Sequence, residues 1–104
     1  MAEEQRFAEV HSNNNFPTAA GLSSSSAGYA ALALSTSRAA GLDLNPSDLS
    51  LLARRGSGSA ARSIQGGFVE LLFGKREDGR DAKARPIGDK RFWPICIMIA
   101  ITAK

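Results

Sequence analysis

Apolar residues fall into a few short blocks along this chain, separated by polar and glycine-rich stretches, and the blocks differ in kind. Between Ser24 and Ala40 the apolar positions are mostly small: Ala27, Ala30, Ala31, Leu32, Ala33 and Leu34. Alanine is the best helix former and lets neighbouring backbones come close. This block therefore predicts a buried helix that begins inside the serine run Ser23–Ser26 and stops at Gly41. Asn45-Pro46-Ser47-Asp48 supplies a capping side chain, a proline for the first turn and an acid facing the helix dipole, which predicts a short helix from Pro46 to Arg54, ending before Gly56. The loop that follows opens another short helix near Ala60, and Gly66-Gly67 breaks it. Phe68–Phe73 predicts a strand and Glu77-Asp78-Gly79-Arg80 a turn, while residues 80–91 read as polar and exposed. Ile95–Thr102 is continuously apolar and β-branched, the pattern of a strand buried on both faces, with Trp93-Pro94 anchoring its entry. Ahead of all these, Glu9–Asn15 reads as the tail of a strand entering a turn at Asn13-Asn14-Asn15 and Pro17. Helices and strands mix without a regular βαβα rhythm, so the expected class is α+β.

At 104 residues the chain has room for one small domain with a thin core. Its 43% apolar and 22% charged residues exclude a disordered tail. The single cysteine, Cys96, excludes an internal disulfide and a multi-cysteine zinc site, and its apolar surroundings predict a buried, inert thiol. His11 has no second histidine, cysteine or aspartate at ligand spacing. The run Pro94–Ala103 falls short of the ~20 residues of a membrane span, and the polar opening Met1–Arg6 has no leader-like apolar stretch, so a cytoplasmic protein without a membrane partner is expected. Charge changes the picture more. The first fifty residues carry two basic against five acidic side chains, a net −3, and the remainder carry eleven against five, a net +6. A basic half asks for an anionic partner, either phosphorylated small molecules or nucleic acid.

Two segments offer anion chemistry. Gly21-Leu22-Ser23-Ser24-Ser25-Ser26-Ala27 enters a helix whose first amides lack internal partners and carry roughly half a positive charge. Glycine admits a close ligand and serines add donors without bulk, as a phosphate-binding turn requires; an ordinary serine cap before a flexible turn is the alternative. In Gly56–Arg62, two hydroxyls, two glycines and an arginine fork lie within seven residues, against the alternative of a solvated loop. Neither segment is a Walker loop, and Gly56-Ser57-Gly58-Ser59-Ala60-Ala61 follows a helix instead of the strand that a dinucleotide fingerprint needs. Arg54-Arg55 close a helix, where cations are favoured in any case. Lys75, Arg76, Arg80, Lys83 and Arg85 lack interleaved aromatics for stacking bases, so no nucleic-acid partner is expected.

The two segments also carry a resemblance. Asn14-Asn15-Phe16-Pro17-Thr18-Ala19-Ala20-Gly21-Leu22, then Ser24-Ser25 and Ala27-Gly28-Tyr29-Ala30, resembles the ATP-phosphate loop of diphosphomevalonate decarboxylases. Ala53-Arg54-Arg55-Gly56-Ser57-Gly58-Ser59-Ala60, with Arg62-Ser63 and Gly66-Gly67-Phe68-Val69-Glu70, is similar to that family's substrate segment, and Trp93-Pro94 with its apolar run and Thr102-Ala103-Lys104 follows the same pattern. The resemblance implies a GHMP kinase fold, with this chain as part of the N-terminal domain plus the crossing into the second domain: an ATP-phosphate loop at about 17–30, a substrate segment at about 53–70 and a buried strand at about 95–102. It implies ATP-dependent decarboxylation of mevalonate 5-diphosphate to isopentenyl diphosphate in isoprenoid biosynthesis, with Mg²⁺, and allows a homodimer for the full-length member. By resemblance, Gly21, Leu22, Ser23, Ser24, Ser25, Ser26 and Ala27 hold ATP. Ser57, Gly58, Ser59, Ala60, Ala61 and Arg62 line the substrate site, with Arg62 gripping anionic groups.

There are departures. The family's N-terminal strand with its substrate tyrosine and lysine is absent, as is the Asp-Ala-Gly-Pro-Asn segment bearing its catalytic aspartate, so no catalytic residue is expected in this chain and it should not turn over substrate alone. Ala61 stands where many members have cysteine, Gln65 where an aromatic is common, and Leu71-Leu72 where tryptophan often occurs. A related enzyme acting on mevalonate 5-phosphate and a non-catalytic nucleotide- or phosphate-binding remnant are the competing readings.

Overall fold

The computed structural model describes residues 6–100 and 102–103. Met1–Gln5, most of the opening read as leader-free, and Ile101 and Lys104 of the closing stretch lie outside the described residues. Three helices and a hairpin follow in order: α1 (Ser24–Ala39), α2 (Pro46–Gly56), α3 (Ala60–Ser63), β1 (Phe68–Leu71) and β2 (Ala84–Gly88). The α+β class is as expected.

The first helix presents Ser26, Ala30, Ala33 and Ser37 as its buried residues, a spacing of four, three and four that lines one helical face. Only small side chains stand on that face, so α2 and α3 approach closely, and Ala33, Ala53 and Ala60 meet with Ile64 packed against them. The end of α1 is set by Gly41 at φ 75°: its N–H donates to the Arg38 carbonyl at 3.0 Å and that of Leu42 to the Ser37 carbonyl at 2.9 Å, the Schellman arrangement. At the start of α2, Asn45 Oδ1 accepts from the Asp48 N–H at 2.9 Å and Pro46 occupies the first turn, as the sequence predicts.

That helix runs through Gly56, past the expected end at Arg54. The ring of Tyr29 lies over Gly56, and a Cβ there would fall 2.0 Å from Tyr29 Cδ1, so only glycine lets α1 and α2 close at this point.

The hairpin pairs Phe68 with Gly88, Val69 with Pro86, Glu70 with Arg85 and Leu71 with Ala84, with a register shift after Phe68. It corrects the reading of residues 80–91 as exposed throughout: Ala82 and Ala84 are buried and β2 lies within that stretch. Three side chains tie the hairpin to the helices. The buried Ser50 hydroxyl accepts from the Ala84 N–H at 3.1 Å, and Arg54 Nη1 donates to the carbonyls of Leu72 (3.2 Å) and Ala82 (2.9 Å). Gln65 Nε2 donates to the Ala84 carbonyl at 3.1 Å. Arg54 is thus a structural clamp, satisfying carbonyls where β1 has ended and β2 has not begun.

Two other expectations are overturned. Among the described residues of the expected strand at 95–102 no strand forms: residues 94–100 have no regular structure and are exposed, Ile97 to 88%. Cys96 is accordingly exposed, not buried. A strand needs a neighbour for its backbone groups, and none among the described residues pairs with this run. Trp93 turns back instead, stacking on Phe68 with ring centroids 6.1 Å apart, while Phe92 meets Phe68 edge-on at 5.6 Å. Glu9–Asn15 also contains no strand.

Candidate phosphate-binding cleft

The loop before α1 is unusually wound. Ala19 and Ser23 both stand at φ 58° and Gly21 at 76°, in the left-handed region that costs a non-glycine residue about 1–2 kcal/mol. Ser24 Oγ accepts from the Ala19 N–H at 3.2 Å and holds this loop against the helix start. Ser23 is the N-cap residue, yet its side chain caps nothing. The amides of Ser24, Ser25 and Ser26, which have no carbonyl four residues back within α1, are left uncapped by side chains at the positive end of a 16-residue helix.

The loop before α3 lies against the same place. Ser26 and Ser59 share a short hydroxyl–hydroxyl hydrogen bond across thirty-three residues of sequence, and Ser57 Oγ lies 3.5 Å from Ser59 Oγ. Around this contact opens a cleft of about 300 Å³. Ser23 and Ser26 line it from the first segment and Ser59, Arg62 and Ser63 from the second, and Gly67, Phe68 and Val69 close it from the hairpin. Arg62 is exposed and has no carboxylate partner among the described residues, so its guanidinium is free to meet an anion.

The remaining predicted residues fall elsewhere. Ser25 is exposed and faces a separate hollow of about 320 Å³ beside Tyr29, Gly28 and His11. Gly21 and Gly58 are exposed, with open space where a side chain would stand. Leu22, Ser24 and Ala27 are half-buried, with Ala27 facing another hollow beside Ile64. Ala60 and Ala61 are both 0% exposed, so their side chains set α3 into the core and are not part of the cleft lining. Ser63 and the apolar wall of Phe68 and Val69 fall within the expected substrate segment at about 53–70 but not among the individually named binding residues. Their nearness to Arg62 in sequence was the available signal.

Other charges are engaged. Arg76 and Asp78 form a forked pair at 2.7 and 3.0 Å, Arg85 Nε is 2.7 Å from Glu70 Oε2, Lys83 Nζ is 3.7 Å from Asp48 Oδ1 and Arg80 is 3.9 Å from Asp78. The Arg76 guanidinium holds the Asp78 carboxyl below the usual carboxylate range, and Asp78 in turn raises Arg76. Asp81 is held low by the Lys75 amide first and the Arg76 amide after it, and Asp89 by Arg91. Of Lys75, Arg76, Arg80, Lys83 and Arg85, all but Lys75 therefore already face carboxylates. His11 Nε2 lies 2.7 Å from Glu9 Oε1 on the exposed N-terminal segment. A larger hollow of about 690 Å³, between α2 and the turn after β1, contains none of the predicted binding residues.

Comparison with known proteins identifies the family to which these segments belong. A family model described as the diphosphomevalonate decarboxylase-like N-terminal domain matches residues 1–84. The diphosphomevalonate decarboxylase of Bos taurus is 58% identical over 85 residues, covering 82% of this chain and 20% of that protein. That of Gibberella zeae is 50% identical over 99 residues, covering 92% and 26%. A crystal structure of mevalonate 5-diphosphate decarboxylase superposes with a TM-score of 0.70 at 51% identity, covering 79% of this chain and 21% of that one. The Trypanosoma brucei mevalonate diphosphate decarboxylase gives 0.67 at 48%. The described residues thus share the GHMP kinase fold of those structures, and the chain spans about a fifth to a quarter of the length of the relatives it matches. Over the greater part of its length, this chain belongs to the diphosphomevalonate decarboxylase-like N-terminal domain family.

Proposed function

We propose that this chain carries the phosphate-holding part of an ATP-dependent diphosphomevalonate decarboxylase, the start of α1 receiving ATP and the segment Ser57–Arg62 receiving mevalonate 5-diphosphate. The observation that supports this most directly is the convergence of Ser23, Ser26, Ser59 and Arg62 on one cleft, from two segments that are remote in sequence. Phosphoryl transfer is mostly positioning and charge stabilisation, and these residues offer both. Uncapped amides at a helix start and hydroxyl donors meet phosphate oxygens, and the Arg62 fork takes an anionic group. Phe68 and Val69 supply an apolar wall for the hydrocarbon part of a branched acid. In the proposed reaction the γ-phosphoryl group of ATP passes to the tertiary hydroxyl, and loss of phosphate and CO₂ leaves isopentenyl diphosphate. Mg²⁺ would come with the phosphates. The described residues gather no group of three or more histidine, cysteine or carboxylate side chains, and the polar side chains lining this cleft are Ser23, Ser26, Ser59, Arg62 and Ser63.

Nor does a carboxylate line the cleft, so the base for the tertiary hydroxyl is not among its residues. The proposal therefore predicts binding without turnover. Isothermal titration of the purified 104-residue chain should register mevalonate 5-diphosphate and ATP, while a coupled assay should detect no ATP-dependent CO₂ release. Preference for mevalonate 5-phosphate would move the reading to a related enzyme, and binding of neither anion would overturn it. The crossing into a second domain, a homodimer of the whole protein and a cytoplasmic setting belong to the same proposal. No helix among the described residues is long and apolar enough to cross a membrane.

A further inference from the structure

We infer that Ser26 is a positioning residue for the substrate segment and not a donor to ATP. This rests on the function proposed above and assigns Ser26 a different task within it. Ser26 is 4% exposed and belongs to the buried face of α1, in line with Ala30, Ala33 and Ser37, while its neighbour Ser25 faces outward into another hollow. Its hydroxyl pairs with that of Ser59, a side-chain hydrogen bond joining the two segments.

Ser59 is itself in an unusual state. It is the N-cap residue of α3, where a serine hydroxyl ordinarily turns back to a helix amide, yet it makes no such bond. Its backbone carbonyl accepts from the Arg62 N–H at 3.1 Å, so the residue that Ser26 holds is joined directly to the arginine of the cleft. Each serine hydroxyl has one proton and two acceptor sites. Either hydroxyl can donate in the Ser26–Ser59 contact; in the arrangement where Ser26 donates, the Ser59 proton has only the long contact to Ser57 Oγ at 3.5 Å within the protein and is available to an anion beside Arg62. Removing the Ser26 hydroxyl frees the Ser59 side chain to rotate back to the α3 amides, and the cleft loses a prepared donor. The first-turn amides of α1 are backbone groups and remain in place.

The test is a pair of titrations, with mevalonate 5-diphosphate and with ATP, of the 104-residue chain and of its S26A, S59A and doubly substituted forms. S26A should weaken mevalonate 5-diphosphate about fivefold, the size of one neutral hydrogen bond, and leave ATP affinity unchanged. Adding S26A to S59A should weaken the diphosphate no further, because Ser26 then has nothing to hold. A loss in ATP affinity would make Ser26 a nucleotide donor, and equal losses in both backgrounds would make its role merely structural. Either result overturns the inference while leaving the proposed function standing. A parent chain that binds neither ligand would overturn both. S26T, which restores the hydroxyl, should recover most of the diphosphate affinity, and failure to do so with helix content intact also counts against the inference.

Discussion

The stretch from Ser24 to Gly88 and the stretch after it invert the usual relation between hydrophobicity and order. Ser24–Gly88 has the weaker apolar signal. Its buried apolar residues are Leu49 and seven alanines, yet its backbone groups are settled by Ser50, Arg54, Gln65 and two helix caps. Residues 95–100 carry the strongest apolar signal of the chain and remain exposed without regular structure. Burying apolar side chains drives folding, but a strand also requires partners for its N–H and C=O groups. A radius of gyration of 16.2 Å, against the ~13 Å typical of a compact chain of 100 residues, reflects the segments that lie off this alanine core.

The sharpest test of that contrast substitutes one large aliphatic residue in each region. Leu49→Ala empties the one buried leucine of α2 and should cost about 2–5 kcal/mol, enough to unfold a domain with so small a core. Ile97→Ala, at an 88% exposed site, should change stability by no more than about 0.5 kcal/mol. Urea unfolding followed by helix circular dichroism reads both. A cost at Ile97 comparable to that at Leu49 would mean that the tail packs in solution.

Next in size is the clamp between helix and hairpin. Arg54→Met keeps much of the side-chain bulk but leaves the Leu72 and Ala82 carbonyls without their donor, and should destabilise by about 1–3 kcal/mol. Arg55→Met, one residue on and exposed, should do almost nothing. If the two variants melt alike, Arg54 contributes only general helix-end electrostatics and the hairpin is held by other means.

Local features of the fold were legible because their causes are local. The Asn45 cap, Pro46, Gly41 and the alanine-rich run each act within a few residues, and both long helices appear where they predict. The second strand was not legible. Ala84-Arg85-Pro86-Ile87-Gly88 contains the two residues least suited to a strand, and it is held as one by a hydroxyl on α2 and the cross-strand Arg85–Glu70 pair. The apolar run at 95–100 failed in the opposite direction, with every local preference met and the neighbour missing. The cleft was legible in composition, since serines and an arginine are what a phosphate requires. Its geometry was not: nothing near Ser26 indicates that it turns to Ser59 while Ser25 turns away, nor that Ala60 and Ala61 face the core.

The smallest effect expected is a pH dependence confined to the turn that carries β1 into β2. Asp81 Oδ2 accepts from the Lys75 N–H at 2.7 Å, and the two oxygens accept from the Arg76 N–H at 3.3 Å each, which holds its carboxyl below the ordinary value of 3.8. Asp78 is lowered likewise, by the Arg76 guanidinium. A carboxyl whose pKa is lowered on folding adds stability that is fully present above its unfolded pKa and disappears as pH falls through its folded one. The turn should therefore be indifferent to pH between 5 and 8 and loosen only below about pH 4. Both carboxyls lie at the surface, so the loss should be local: the protection of the Lys75 and Arg76 amides, measured against the intrinsic exchange rate at each pH, should fall in acid while the amides of α1 keep theirs. Asp81→Asn should remove most of this acid dependence at Lys75. If α1 loses protection together with the turn at pH 4, the turn is coupled to the helices far more tightly than the local Asp81 contacts imply, and the division between a settled body and its loose margins would have to be redrawn at Arg54.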